Sequence, residues 1–258
     1  MEENTKIKLI LVDSNGDKAF CSGGDVSNLY RHGVSGNYKF GKLFWADEYR
    51  LNLLIANYPK PYVVFMQGFT MGGGVGISCH GSHRIVGDSS IIAMPECGIG
   101  LVPDVGGSFL LTRKSKELGI YLGITGSHMK ADDAIFTNFA DFFVEEKYWE
   151  EAKSKLIKTG DTTFLNKFKR ESLSSPLKKN LRLIIDLFSI NKLSLIIKEM
   201  EMNPVFVHSL KKMLSASPLS VLTSYHMLQM PEIFLSVKEA LKIEYRFTSR
   251  AQEHTDYF

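Results

Sequence analysis

Short apolar runs separated by glycine-containing turns fill the first part of the chain, and this alternation most limits how the chain can fold. Residues 8–12 and Tyr62–Met66 are apolar runs of strand length, and residues 43–56 between them have the apolar spacing of a helix. The helical row consists of Phe44, Glu48, Leu51 and Ile55. Strands that alternate with helices predict a layered α/β fold rather than a β-sandwich.

The second part of the chain is rich in leucine, isoleucine, lysine and serine, and its apolar spacing is helical. One row steps by three, four and four residues through Phe234, Val237, Leu241 and Tyr245. Ser217 followed by Pro218 predicts a helix start, because serine caps helices and proline suits the first helical position. We therefore predict two units, an α/β core over residues 1–145 and a helical C-terminal region over residues 146–258.

Composition narrows the classes of function. The chain has 258 residues, of which 23% are charged, and a net charge of +3. This small positive charge gives no electrostatic footprint for a nucleic acid, and no apolar stretch is long enough to span a membrane. Three cysteines at long spacings predict neither a disulfide framework nor a zinc site, so we expect no bound metal.

Two glycine-rich turns are the first candidate site segments. Residues 72–76 form the densest glycine cluster, but they lack both the lysine of a Walker A loop and the third glycine of a dinucleotide fingerprint. Glycine permits close backbone approach, and the N–H groups at a helix start can hold an anion. The second turn is Ser22-Gly23-Gly24-Asp25. Each turn could donate one amide to the same carbonyl oxygen, which is the minimum for an oxyanion hole.

Two carboxylates, Glu96 and Asp104, lie in an otherwise apolar segment rich in proline and glycine. Burying a carboxylate is costly unless it is paired or hydrogen-bonded, so two in such a segment indicate a site. An apolar pocket would raise the pKa of at least one of them and make it competent for proton transfer near neutral pH. For Asp104 a second interpretation has equal weight, namely a carboxylate that caps a helix beginning near Gly106.

Other catalytic systems fit the sequence poorly. No G-x-S-x-G elbow is present. His80 and His83 lack the H-E-x-x-H pattern of a zinc protease, so we expect them to be structural. Cys97 lies beside Glu96 but has no obvious partner histidine, and we do not expect it to be a nucleophile.

Residues 18–25, the triple glycine of residues 72–74 and Pro95-Glu96 resemble the crotonase superfamily of enoyl-CoA hydratases and isomerases. Longer strings are most similar to the 3-hydroxyisobutyryl-CoA hydrolases of that superfamily. They are residues 59–63, 71–78, 80–84, 93–96 and 99–107, with Glu244-Tyr245-Arg246 near the end. The likeness runs from about residue 8 to the end of the chain.

The resemblance implies a crotonase-like ββα-spiral core with a helical C-terminal region, and an acyl-CoA thioester as substrate. The oxyanion amides would be those of Gly24 and Gly73, and the catalytic carboxylates Glu96 and Asp104. Substrate contacts are expected from Glu48, Gly73, Glu96 and Asp104. No separate cofactor is expected, since coenzyme A is part of the substrate.

The implied reaction is hydrolysis of a short-chain 3-hydroxyacyl-CoA, most closely 3-hydroxyisobutyryl-CoA in valine catabolism. Hydratases of the superfamily usually carry glutamate at the position of Gly76 and commonly glycine at that of Asp104, so both residues favour the hydrolase. An enoyl-CoA hydratase or isomerase on the same fold is the alternative.

Members of the superfamily begin with further elements and extend past Glu244-Tyr245-Arg246, so we expect a chain truncated at both ends. This expectation leaves a third interpretation, a non-catalytic acyl-CoA-binding relative. The resemblance implies a mitochondrial location, although the chain shows no transit peptide. Association into a homo-oligomer is left open.

Overall fold

Eight short strands form two four-stranded sheets in the computed structural model, which describes residues 4–170 and 174–257. The strands are β1 (Ile10–Val12), β2 (Ala19–Cys21), β3 (Tyr62–Met66), β4 (Phe69–Met71), β5 (His83–Val86), β6 (Ile91–Ala93), β7 (Met129–Lys130) and β8 (Phe142–Phe143). The first sheet has the order β1-β3-β5-β8 and is parallel throughout. The second has the order β2-β4-β6-β7, and β7 alone runs antiparallel to its neighbour.

Helices connect and cover these sheets. The earlier ones are α1 (Val26–Val34), α2 (Tyr38–Ala56), α3 (Gly73–Ser78), α4 (Gly107–Thr112), α5 (Lys116–Thr125) and α6 (Ala131–Phe136). The later ones are α7 (Trp149–Thr159), α8 (Pro176–Lys179), α9 (Leu181–Phe188), α10 (Leu193–Met202), α11 (Val207–Leu214), α12 (Pro218–Met227) and α13 (Val237–Ala251). None of the helices in the described ranges is long and apolar enough to cross a membrane.

Successive strands enter the two sheets in turn before a helix returns the chain. β1, β3 and β5 belong to the first sheet, and the strand that follows each of them belongs to the second. Helices then follow each pair, with α1 and α2 after β2, α3 after β4, and α4 after β6. This repeated ββα unit confirms the predicted α/β class and the ββα-spiral core.

Strand β3 shows why the strands of the first sheet are continuous apolar runs. Val63 and Phe65 pack on one face against Trp149 of α7, and the ring centroids of Phe65 and Trp149 are 5.2 Å apart. Val64 and Met66 pack on the opposite face in the main hydrophobic core. A strand covered on both faces needs no polar alternation, as is usual in parallel sheets.

The later helices pack against the first part of the chain. Helices α9, α11 and α12 contact α5, while α13 contacts α2 and α4. One hydrophobic cluster includes Val64 and Met66 of β3 together with Phe206 and Leu241 of the C-terminal region. The division into two domains near residue 145 stays a prediction.

The apolar row predicted for α2 is confirmed in part. Ile55 is buried and Phe44 and Glu48 are half-buried, whereas Leu51 is 45% exposed. The neighbouring row through Trp45 and Tyr49 is the more deeply buried one. Steps of three and four residues fit neighbouring rows of a helix equally well, and single apolar side chains are common on protein surfaces. The helix also begins earlier than predicted, at Tyr38.

Two other segments can be compared with the sequence predictions. Phe234 ends a 3₁₀ turn ahead of α13 instead of lying in its helical row, and its side chain is 42% exposed. Strand β4 directly precedes the glycine cluster of residues 72–76, and the sequence pattern does not predict it, because three residues are too few to show a pattern. The predicted helix start is confirmed, since the Ser217 hydroxyl oxygen accepts a hydrogen bond from the Ser220 amide at 3.0 Å.

Replacing Ser217 with alanine removes this cap, and we expect the free energy of unfolding to fall by about 1 kcal/mol. The same hydroxyl donates to Oδ2 of Asp256 at 2.6 Å, which would add to the loss. Urea unfolding followed by circular dichroism measures the change. Ser154→Ala is the control, since Ser154 lies exposed within α7 and should change stability little. An equal loss in both variants would argue against capping.

Candidate active site

Three neighbouring parallel strands bring the predicted site segments to one edge of the second sheet. Strand β4 pairs in parallel with β2 on one side and β6 on the other. The carboxyl ends of the three strands therefore lie together, which is where ligands bind in many α/β sheets. The segments that follow these ends contain Gly23 and Gly24 after β2, Gly72 and Gly73 after β4, and Glu96 after β6.

The two glycine turns lie in direct contact. A methyl group built on Gly23 would lie 3.5 Å from the amide nitrogen of Gly73, and one built on Gly73 would lie 3.5 Å from that of Gly24. One built on Gly74 would overlap the carbonyl oxygen of Cys21. The absence of a side chain at Gly74 is therefore what allows the turns to approach so closely.

Both predicted oxyanion amides are available to a ligand. Gly73 is the first residue of α3, where amide groups have no partner within the helix. The amide of Gly24 donates no hydrogen bond to any residue in ranges 4–170 and 174–257. Two neighbouring donors of this kind can hold a carbonyl oxygen that gains negative charge.

The turns line a pocket of about 130 Å³. Every residue that the resemblance assigns to the site lies on its wall: Gly24, Glu48, Gly73, Glu96 and Asp104. The rest of the wall is largely apolar, with contributions from Val26, Leu29, Phe44, Trp45, Ile99 and Leu101. A pocket of this size suits a short acyl group.

Glu96 is the most deeply buried acid of the pocket wall. Glu96 is the first residue of the 3₁₀ turn Glu96–Ile99. Its Oε2 atom has no hydrogen-bond partner among the described residues. Burial raises the pKa of Glu96 well above the ordinary value, and the nearby acids Asp104, Glu244 and Glu48 raise it further. A methyl group built on Gly72 would lie 2.8 Å from its Oε1. The carboxyl group therefore stands against the glycine turn of residues 72–76.

Asp104 enters the pocket from the segment before α4, where the hydroxyl of Tyr49 donates to its Oδ2 at 2.8 Å. Burial raises the pKa of Asp104 to about 6, and the hydrogen bond from Tyr49 opposes this rise. Glu48 precedes Tyr49 on α2, and burial and then the charge of Asp104 raise its pKa to about 8. The acids of the pocket therefore keep protons at pH values where free carboxylic acids are ionised.

The helix that follows Asp104 is capped by another acid, Glu244 of α13. Its Oε2 accepts from the amide of Gly106 at 2.7 Å, and its Oε1 accepts from the amide of Ser108 at 3.0 Å and from the Ser108 hydroxyl. The capping interpretation of Asp104 is therefore wrong, because Glu244 occupies that position. The Asp104 carboxylate is left to face the pocket.

The residue after Asp104 has an unusual backbone conformation. Val105 has a φ of 55°, in the left-handed region that a β-branched residue rarely adopts. Its carbonyl oxygen accepts a hydrogen bond from Nε2 of His80 at 2.8 Å. Burial lowers the pKa of His80 to about 4, so the ring is neutral and can donate one proton. His80 is structural, as the sequence predicts.

Val105 also fills the space beside Gly76. A methyl group built on Gly76 would lie 2.7 Å from Cβ of Val105 and 2.6 Å from Nδ2 of Asn52. Asn52 is fully buried, and neither of its side-chain polar atoms has a hydrogen-bond partner among the described residues. A glutamate side chain would not fit at position 76 with these neighbours in place.

The remaining sequence candidates do not join the site chemistry. The Cys97 thiol donates to the carbonyl oxygen of Gly123 at 3.5 Å and lies 3.3 Å from the Ser224 hydroxyl. Burial raises the pKa of Cys97 to about 12, so the reactive thiolate is not formed. Across residues 4–170 and 174–257, no group of three or more His, Cys, Asp or Glu side chains is arranged to hold a metal ion.

Sequence reasoning did not identify Tyr49 or Glu244 as residues that contact the Asp104 segment. Tyr49 belongs to no motif, although it follows Glu48 directly. Glu244 stands in one of the strings that resemble the hydrolases, but it is 138 positions from the Gly106 amide that it holds. Contacts over such a separation leave no local pattern in a single sequence.

Comparison with known proteins shows the family to which this fold belongs. The family model for enoyl-CoA hydratase/isomerase matches residues 1–258. The chain belongs to the enoyl-CoA hydratase/isomerase family, the crotonase superfamily.

Curated relatives specify one branch of this family. The mitochondrial 3-hydroxyisobutyryl-CoA hydrolase of Xenopus tropicalis is 32% identical over 270 residues, and the match covers 100% of this chain and 70% of that protein. The protein of the same name from Dictyostelium discoideum is 33% identical, with coverage of 97% and 70%. The predicted resemblance to 3-hydroxyisobutyryl-CoA hydrolases is confirmed.

Solved structures agree on the fold. The structure titled an enoyl-CoA hydratase from Rhodobacter sphaeroides has a TM-score of 0.90 and 42% identity, and the match covers 99% of this chain and 75% of that one. The structure titled a carnitinyl-CoA dehydratase from Mycobacterium thermoresistibile has a TM-score of 0.93 and 32% identity, with coverage of 99% and 76%.

Replacing Gly74 with alanine should force the two glycine turns apart, since the added methyl group would overlap the Cys21 carbonyl oxygen. We expect the free energy of unfolding to fall by about 1–3 kcal/mol, the usual cost of overpacking. Gly98→Ala is the matched control, because a methyl group there meets nothing within 4 Å. Chemical denaturation of both variants measures the difference. If Gly74→Ala is as stable as Gly98→Ala, the close contact between the turns is contradicted.

Proposed function

We propose that the chain hydrolyses the thioester of a short-chain 3-hydroxyacyl-CoA, with 3-hydroxyisobutyryl-CoA as the substrate. One observation carries the proposal: the amides of Gly24 and Gly73 and the buried carboxyl group of Glu96 line the same small pocket. Together they supply an oxyanion hole and a proton acceptor beside one carbonyl group. The names of the curated relatives support the choice of substrate.

The two amides polarise the thioester in this proposal. Gly24 and Gly73 each donate a hydrogen bond to the carbonyl oxygen, and these bonds strengthen as the carbon becomes tetrahedral and the oxygen gains negative charge. In other enzymes the loss of one such donor costs about 2.7–4 kcal/mol of transition-state stabilisation. Because both donors belong to the backbone, their positions depend on the contact between the turns.

Glu96 then acts in its ionised form. It accepts a proton from a water molecule as the water oxygen bonds to the carbonyl carbon. The carbon–sulfur bond breaks, coenzyme A leaves as a thiolate, and the thiolate takes the proton from Glu96. A carboxylate with a raised pKa is a stronger base than a free one, which suits this transfer. Direct attack by Glu96, giving a mixed anhydride that water hydrolyses, requires the same residue.

Glu48 and Asp104 are placed to recognise the hydroxyl group of the acyl chain. A methyl group built on Gly73 would lie 2.7 Å from Oε1 of Glu48, so this carboxyl group stands directly beside one oxyanion donor. Asp104 lines the same pocket. In this proposal the substrate hydroxyl binds to these two carboxyl groups, whose charges also raise the pKa of Glu96.

Hydration of an enoyl-CoA is the second candidate. The solved structure titled an enoyl-CoA hydratase, at 42% identity, favours it. Against it stand Val105 and Asn52, which fill the space where a glutamate at position 76 would extend. Without that second carboxylate the usual pair for adding water to a double bond is incomplete, and we therefore prefer hydrolysis.

We also propose that the protein acts in mitochondria, within valine catabolism. Curated relatives named as mitochondrial 3-hydroxyisobutyryl-CoA hydrolases support this location.

Replacing Glu96 with glutamine should lower thioester hydrolysis by about 10²–10⁴-fold, since glutamine cannot accept the proton. Thiol release from 3-hydroxyisobutyryl-CoA measures the rate, and calorimetric titration with CoA should show nearly unchanged binding. Glu150→Gln is the control, because the Glu150 side chain is 88% exposed on α7. Full activity in Glu96→Gln would show that Glu96 does not take part in the reaction.

The same assay on the unsubstituted protein separates the candidates. Release of thiol from 3-hydroxyisobutyryl-CoA supports the hydrolase. Hydration of crotonyl-CoA without thiol release supports the hydratase instead. Binding of CoA with neither reaction supports a non-catalytic relative, and both proposed reactions are then wrong.

The pH dependence of the rate provides an independent prediction. Because the ionised form of Glu96 is required and its pKa is raised, kcat should fall as pH decreases through an apparent pKa above that of an ordinary glutamate. Removing a neighbouring acid should move this fall to lower pH. Asp104→Asn should have the larger effect and Glu48→Gln the smaller, because Asp104 raises the pKa more strongly. A profile that neither variant moves would contradict the proposed proton acceptor.

A further inference from the structure

Two buried polar side chains of α13, Glu244 and Thr248, lie one helical turn apart and outside the pocket wall. They reach the Asp104 segment by separate routes. Glu244 contacts the backbone of this segment, since its carboxyl oxygens accept hydrogen bonds from the amides of Gly106 at 2.7 Å and Ser108 at 3.0 Å. These amides follow Asp104 by two and four residues.

Thr248 contacts the Asp104 side chain indirectly, through the hydroxyl of Tyr49. Its Oγ1 lies 3.1 Å from the hydroxyl of Tyr49, and that hydroxyl donates to Oδ2 of Asp104 at 2.8 Å. Thr248 is fully buried, so the orientation of Tyr49 depends on this contact and on packing. One helix therefore acts on both the backbone that carries Asp104 and the group that binds its carboxylate.

The backbone between these contacts needs support. Val105 and Gly106 have φ values of 55° and 76°, and a β-branched residue is strained in this region. Such conformations persist only where the surroundings impose them. Glu244 supplies this support through its contacts with the Gly106 and Ser108 amides. Its carboxyl group is fully buried and forms no ion pair in the part of the chain that the structure describes, so its burial costs free energy.

We infer that Glu244 and Thr248 form a brace that positions the Asp104 carboxylate in the pocket, which makes both of them positioning residues of this site. The catalytic consequence rests on the proposed thioester hydrolysis. The positioning itself concerns only the Asp104 carboxyl group, and it can be measured without turnover.

Several titratable groups face Asp104 from the elements packed around it, so the test must separate their effects. They are Glu48 and Tyr49 of α2, Glu96 of the 3₁₀ turn after β6, Glu244 of α13, and Tyr257 of the 3₁₀ turn Thr255–Tyr257, with His80 against Gly106. The readout is therefore the Asp104 carboxyl group itself, followed by ¹³C NMR of aspartate-labelled protein. Its resonance is assigned by its loss in Asp104→Asn.

Two substitutions should move the Asp104 titration in opposite directions. Glu244→Gln weakens the hold on the Gly106 and Ser108 amides and loosens the loop, which lets water reach Asp104. Because burial is what raises the pKa of Asp104, this pKa should fall towards the ordinary aspartate value. Thr248→Val keeps the shape but removes the partner of Tyr49, so the hydrogen bond to Asp104 should weaken and its pKa should rise. Thr248→Ser keeps the hydroxyl and should restore the titration of the unsubstituted protein.

Asp133 provides the matched control. It is a buried acid that accepts from the Leu177 amide at 3.1 Å and the Ser175 hydroxyl at 2.5 Å, in the same manner as Glu244, but neither partner belongs to the Asp104 segment. Asp133→Asn should not change the pKa of Asp104. A brace is excluded if Glu244→Gln and Thr248→Val shift the titration in the same direction, or if Asp133→Asn shifts it equally.

Kinetics then test the catalytic consequence. Glu244→Gln should lower kcat about 10- to 100-fold, the scale expected for a misplaced group, with a smaller change in KM. Glu244 also raises the pKa of Glu96 directly, so kcat is compared at a pH where Glu96 is ionised in every variant. There the same substitution in the Asp104→Asn background should have little further effect, because it acts through Asp104. If the titrations behave as expected and the unsubstituted protein releases no thiol, the brace stands and the proposed hydrolysis is wrong.

Discussion

The parallel pairing of β2 with β4, and the contact it imposes between the two glycine turns, is the constraint on which the site depends. The strands alone would only bring the turns to the same edge. Their contact requires that Gly74 carry no side chain, since the Cys21 carbonyl oxygen occupies the space. A backbone donor cannot be reoriented by choosing another side-chain rotamer, so the fold itself determines the positions of the Gly24 and Gly73 amides. The second sheet therefore acts as the frame of the pocket.

Around that frame the chain buries more acid than a stable core would favour. The side chains of Glu96, Asp104 and Glu244 are all buried, and burial raises the pKa of each. Hydrogen bonds offset part of the cost, from Tyr49 to Asp104 and from backbone amides to Glu244. The Oε2 atom of Glu96 receives no such bond from any described residue, and this leaves it open to a ligand or a water molecule. The C-terminal region contributes to this arrangement through α13.

Local patterns were sufficient for the fold class and for the residues on the pocket wall. Tyr62–Met66 has the bounds that its apolar run predicts, because a buried parallel strand leaves a clear signal. The apolar row of α2 was predicted only in part, because adjacent helical rows share one spacing. The choice between two roles for Asp104 depended on Glu244, which is distant in sequence and enters through tertiary contact alone. Motifs indicated the candidate site residues, and only the structure showed which groups hold them in place.

The filled space beside Gly76 has a consequence for how such enzymes diverge. Introducing an acid at that position meets Val105 and Asn52 at once, so the change is tolerated only if both neighbours change with it. Val105 in turn belongs to the strained segment that carries Asp104. A glutamate at position 76 therefore requires coordinated change at Val105 and Asn52, and any change at Val105 also alters the backbone that carries Asp104.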